Sequence, residues 1–277
     1  MFRLIDIEIH KLKNSRASRF LIISYFILLT SIALIAAIKF NIGSVPIHLA
    51  DQGIFNFPFI WHFNTYVASI FKFFLLLVIV SMMANEYSNS TLKQNLIDGL
   101  SKKEFVLSKF YTVVLFAAIS TLFVFVVSLI LGLAYSDFDE PSIIFSDMGY
   151  LLAFFIKLVG FFSFGLFMGV LVKRSAFAVA IIIIWYIIEW LIFAILGWKF
   201  TTWDNAQKIK NFLPLEAMQN LIKEPGSRLN AIQSVAKQVG EEFTKDYSVH
   251  WYEIAIVLVY TFLFIYFSYK ILQRRDL

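Results

Sequence analysis

Three charged residues stand inside long apolar runs: Lys72 in "SIFKFFLLLVIV", Lys157 in "LLAFFIKLVGFF" and Glu189 in "IIIIWYIIEWLIFAI". An ionised side chain near the middle of a membrane costs on the order of 3 kcal/mol on insertion scales. Each therefore needs a partner, a hydrated cavity or a route back to water. A lysine can snorkel along its stem, which is the plain reading of Lys72, whereas a glutamate stem is too short to do so. The other concentration of polar chemistry is "NEYSNSTLKQNLIDGLSKKEFVLSKF", residues 85–110, wedged between two apolar runs. A hairpin of a few residues would have joined those runs, so the segment has a further task.

Several chemistries find no motif. Cysteine is absent, which excludes disulfides, thiolate metal sites and a cysteine nucleophile. Of the four histidines (His10, His48, His62 and His250), His48 and His62 flank Asp51 and could form a weak metal site, but nothing in the spacing demands one. Neither H-E-x-x-H nor G-x-S-x-G occurs, so intramembrane protease and lipid-hydrolase readings are poor. Glycine is nowhere followed by lysine, so there is no phosphate loop and no ATP site of that kind.

The elements that must position these residues are membrane spans. The chain has 277 residues, of which 60% are hydrophobic and 16% charged, against about a quarter charged in a soluble domain. We read an all-α integral membrane protein with six spans, at about 20–39, 66–85, 110–135, 149–172, 176–197 and 251–271. The first apolar run starts near Phe20, is full length and lacks a small-residue cleavage site, so it does not read as a cleavable signal. Basic residues collect before span 1, between spans 2 and 3, between spans 4 and 5 and in the tail. Loops 40–65 and 136–148 carry none, so the positive-inside rule puts both termini in the cytoplasm. The net charge of +5 is thus accounted for without a nucleic acid partner. Loop 198–250 is also basic, but a long loop crosses regardless of charge.

Two further helical segments lie outside the spans. Residues 1–19 place Phe2, Ile5, Ile9 and Leu12 on one face, as in a helix lying in the interface; the alternation in "IDIEI" also fits a strand, but a lone strand there has no partner. Residues 198–250 read as an external insertion of two short amphipathic helices, broken at Pro225-Gly226. In span 4, "GLFMG" (Gly165 to Gly169) is a small-xxx-small pattern: a packing seam by default, a dimer seam as the alternative.

Depth can be estimated at about 1.5 Å per residue. Lys72 lies roughly 9 Å in from Tyr66, Lys157 roughly 10 Å in from Tyr150, and Glu189 roughly 13 Å in from Trp198. All three fall at similar depth toward the outer face. The short turn between spans 4 and 5 makes them antiparallel neighbours, so Lys157 is the expected ion-pair partner of Glu189.

Within 85–110, Thr91, Leu92, Asn95 and Leu96 have helical spacing, and Gly99 ends that helix. Ser101 with Glu104 makes a capping box for the next. Composition alone also fits a solvated positive-inside loop. The order of residues resembles the cytoplasmic signature of ABC-2-type transporter permeases: Glu86, then Thr91-Leu92-Lys93, Leu96, a break at Gly99, Lys102-Lys103 and a terminal Lys109. It departs from that pattern in lacking proline at the break and in carrying lysines where an arginine is usual. "LVKRSAFAVA" and "FLPLEAMQNLI" are similar to such permeases as well.

The resemblance implies a single transmembrane domain over 1–277, in a bacterial cytoplasmic membrane, with 86–108 as the coupling segment. Glu86, Thr91, Leu92, Lys93, Lys102 and Lys103 would meet a separate ATP-binding subunit that holds ATP and Mg. It implies a homodimer or a paired permease, with no catalytic residue and no cofactor in this chain. The chain would export a hydrophobic or amphipathic substrate, with Lys157, Glu189 and Lys72 along or gating the path. The competing reading is a membrane anchor or regulatory subunit that docks an ATPase without transporting. An ion-driven transporter should show two similar halves; the loop lengths of the two halves differ, which disfavours it.

Overall fold

The computed structural model describes residues 2–37, 39–42, 45–48, 53–228 and 246–275. The interface helix is present as α1 (Phe2–Asn14), and α2 (Arg16–Ala37) follows after a break at Ser15. Ser15 Oγ accepts from Ser18 N at 3.3 Å, a serine cap that turns the chain from one helix into the next. Beyond it the expected loop contains an antiparallel hairpin of β1 (Lys39–Ile42) and β2 (Val45–His48), a local exception to the otherwise helical fold. Residues 49–52, with Asp51, lie outside the described set.

The second expected span is two helices. α3 (Phe59–Ile70) and α4 (Lys72–Ser88) meet at Phe71 with a 45° bend. Phe71 N donates to Ala68 O, a tighter turn than α, and Lys72 becomes the first residue of the new helix. Next comes the short α5 (Thr91–Ile97), which ends before Gly99 at φ +95°, a conformation that favours glycine.

The capping box appears as read from sequence. Ser101 Oγ accepts from Glu104 N at 3.2 Å, and the Glu104 carboxylate accepts from Ser101 N at 2.9 Å. This fixes the start of α6 (Lys102–Tyr135), whose 34 residues extend about 51 Å, well beyond a 30 Å hydrocarbon core. The remaining elements are α7 (Pro141–Ile144), α8 (Gly149–Val172), α9 (Ser175–Ile195), a π-helical turn at Leu196–Phe200, α10 (Trp203–Lys210), α11 (Pro214–Asn220) and α12 (Trp251–Arg274).

α8 is the central helix and packs against α3, α4, α6, α9 and α12. Its glycines decide how closely. A Cβ on Gly165 would collide with Leu76 of α4, and one on Gly169 would meet Met83 Cβ at 3.0 Å. The small-residue seam therefore joins α8 to α4 within one chain. Both described termini lie at one end of the bundle. There the Arg275 guanidinium donates to Val170 O (2.6 Å) and Leu171 O (3.0 Å), closing the last turn of α8.

Four helices are long and apolar enough to cross a membrane: Lys102–Tyr135, Pro141–Val172, Ser175–Phe200 and Trp251–Arg274. The bent α3–α4 pair makes a fifth if it counts as one span. The expected six is thus four or five among the described residues. α2 is helical where the first span was expected, but the surroundings of its last six side chains lie outside the described set. The second amphipathic helix expected outside falls largely on 229–245, also outside it.

Candidate functional site

Two clusters of charge are built by this packing, one at the end that holds the termini and one deep in the bundle. At the first, Lys109 of α6 has no exposed surface. Its Nζ donates to Glu8 of α1 at 2.6 Å and to Glu86 of α4 at 2.5 Å. Lys11 of α1 donates to the same Glu86 oxygen at 2.8 Å. The other Glu86 oxygen accepts from Thr91 Oγ1 at 2.6 Å and Asn95 Nδ2 at 3.4 Å, both on α5. Two carboxylates and two ammonium groups thus form a neutral latch across α1, α4, α5 and α6. Buried charges of this kind persist only when each is paired and its remaining lone pairs are bonded.

The residues expected at a partner interface divide accordingly. Glu86 and Leu92 are each 2% exposed, so they hold α5 from beneath and present nothing outward. Thr91 is turned to Glu86. Lys102 Nζ donates to Arg275 O at 2.9 Å and Gln273 O at 3.3 Å, which closes the end of α12. Lys93 and Lys103 alone of the six are exposed. Beside Lys93, the outer face of α5 also offers Gln94 and Asp98, with Ile97 at 75% exposure. Sequence reasoning missed Glu8 and Lys11. The signal was there for Glu8: Leu4, Glu8 and Leu12 recur every fourth residue, which places the carboxylate on a leucine face.

The deep cluster corrects the expected ion pair. Lys157 and Glu189 do not bond to each other; each bonds to α11, which packs on α8, α9 and α12. Leu215, Ala217, Met218, Leu221 and Ile222 are buried there, so this part of the insertion enters the bundle instead of covering it. The Glu189 carboxylate accepts from Leu215 N and Glu216 N, both at 2.9 Å, and from Trp185 Nε1 at 2.8 Å. These are first-turn amides of α11 that have no partner inside that helix. At the other end, Lys157 Nζ donates to Gln219 O at 3.2 Å. Anion at the N-terminus and cation at the C-terminus is the arrangement that a helix dipole favours.

Lys72 is 6% exposed and Lys157 1%. Lys72 Nζ lies 4.5 Å from the Phe161 ring centroid, a cation–π contact. Both lysines line one cavity of about 300 Å³ with Tyr66, Ser69, Tyr186 and Gln219. No carboxylate among the described residues pairs with either lysine. His62 stacks on Tyr150 (centroids 4.3 Å apart), and its Nε2 lies 2.8 Å from Lys223 O, which ties α3 to the insertion.

A comparison with curated proteins gives no match. Residues 21–277 match the model of a family described as "Protein of unknown function (DUF2705)", and the chain belongs to that family.

Proposed function

We propose that this chain is the transmembrane permease subunit of an ABC-2-type exporter. It moves a hydrophobic or amphipathic substrate outward, using ATP and Mg bound on a separate ATP-binding subunit. In this reading α2 is the first span, the bent α3–α4 pair the second, and α6, α8, α9 and α12 the remaining four. Both termini are cytoplasmic, the membrane is the bacterial cytoplasmic membrane, and two permease chains act together.

The observation that carries the reading is α5. It is a short helix between two longer ones, packed on α4 and tied to Glu86 by Thr91 and Asn95. Through Glu86 and Lys109 it is linked to α4, α6 and α1 at once. A push on its outer face, from a subunit that changes shape on hydrolysis, reaches α4, α6 and the interface helix α1. That makes it a lever, and its free face of Lys93, Gln94 and Ile97 is where the partner docks.

The test is purification from native membranes in mild detergent, reading both co-purified ATP hydrolysis and its stimulation by the permease. Ile97→Asp with Lys93→Glu is expected to lose the ATPase while the chain itself still inserts and purifies. Retention of the ATPase by that double variant would reject the docking face. A wild-type chain that brings down no ATP hydrolysis would reject the exporter reading itself.

A further inference from the structure

We infer that the cavity holding Lys72 and Lys157 binds the anionic head of an amphiphile, a phosphate or carboxylate carried on an apolar tail. Two lysine amino groups buried to this extent, facing one space of about 300 Å³, have no carboxylate bonded to them among the described residues. The other buried charges among the described residues are matched: Lys109 has Glu8 and Glu86, and Glu189 has two backbone amides and an indole. Among the described residues, the cation-stabilising contact at Lys72 is the face of Phe161, and Lys157 has a single carbonyl. A bound anion completes both; Tyr66 and Tyr186 share the lining and carry hydroxyl donors, whereas Ser69 Oγ already donates to Tyr66 O.

The mouth of the cavity fixes the rest of the ligand. Ile70 and Phe73 flank the α3–α4 bend, line the cavity and stand exposed, at 57% and 39%. In a membrane those side chains meet lipid, so an apolar tail can lie along them while the head turns inward. The bend places Lys72 here: it is the first residue after the break. The substrate class that follows is an anionic amphiphile. Its meaning as a transport step rests on the exporter reading, whereas the binding does not.

The experiment uses the purified full chain in the neutral detergent dodecyl maltoside, titrated with dodecyl phosphate and followed by native mass spectrometry. One saturable dodecyl phosphate per chain is expected, at least tenfold weaker in Lys72→Gln and in Lys157→Gln. Lys157→Arg, which keeps the charge, is expected to retain most of it. Inorganic phosphate separates the sources: competition at millimolar concentration means that the head alone is recognised, and no competition means that head and tail are both required. Either result supports the site. Absence of saturable binding, or equal binding by folded glutamine variants, overturns it and leaves a cavity that simply hydrates two lysines.

If the glutamine variants do not fold, the native lack of cysteine gives a second reading. The thiol of Ile70→Cys should be protected from a maleimide by dodecyl phosphate and not by added dodecyl maltoside; no protection overturns the inference. Neither measurement involves an ATPase, so loss of the exporter reading would leave the result standing.

Discussion

Replacing Lys109 by methionine removes the one cation that two buried carboxylates share. Methionine keeps the reach of the side chain and its packing against Phe105 without the charge. Glu86 keeps Lys11 (34% exposed) and the α5 donors, while among the described residues Glu8 keeps the Ser108 hydroxyl at 3.4 Å. Removing one member of a buried pair costs about 3–5 kcal/mol. Because Lys109 serves two pairs, the upper part of that range is expected, about 4–5 kcal/mol. A chain of this size loses about 2–4 °C of thermal midpoint per kcal/mol, so the drop is roughly 8–20 °C. The assay is the fraction of monodisperse protein left after heating in neutral detergent. Adding Glu8→Gln and Glu86→Gln to Lys109→Met removes the stranded anions and should recover at least half the loss. A single variant within 2 °C of wild type, or a triple variant no better than the single, refutes the latch.

Two further outcomes follow from the same geometry. Glu189→Gln keeps an acceptor for the α11 amides and should leave limited proteolysis of 203–228 little changed; Glu189→Leu strands Leu215 N and Glu216 N, costs about 1–3 kcal/mol for each, and should open that segment to protease. Equal resistance of the leucine variant and wild type would show that the carboxylate does not hold α11. For orientation, an impermeant maleimide should label Lys208→Cys but not Lys103→Cys in intact cells, and the reverse pattern would overturn both the cytoplasmic termini and the docking face of α5.

What the sequence made legible was local. Gly99 and the Ser101–Glu104 box mark their helix ends because the groups that cap a helix lie within a few residues of it. The central helix was legible too, since a run such as 149–172 is apolar on every face. Partner choice was not, because it is decided across the chain: Lys109 meets Glu86 from 23 residues away and Glu8 from 101. Reading Glu86 and Leu92 as contact residues followed from the resemblance of their segment to a permease signature, whereas burial depends on which helices close over them.

The pairing of Lys157 with Glu189 failed for a related and more instructive reason. The two helices are neighbours as expected, but a third element lies at that level, and its polar residues made it look like surface. The apolar positions Leu215, Met218, Leu221 and Ile222 recur at three- and four-residue steps, a face wide enough to enter the bundle. Once α11 is inside, its unpaired amides and carbonyls need partners that lipid cannot supply. Glu189 provides for one end and Lys157 for the other. The two buried charges are therefore conditions for α11 to sit where it does. Because Lys157 also faces the cavity of Lys72, anything that draws its ammonium away loosens the C-terminal end of α11.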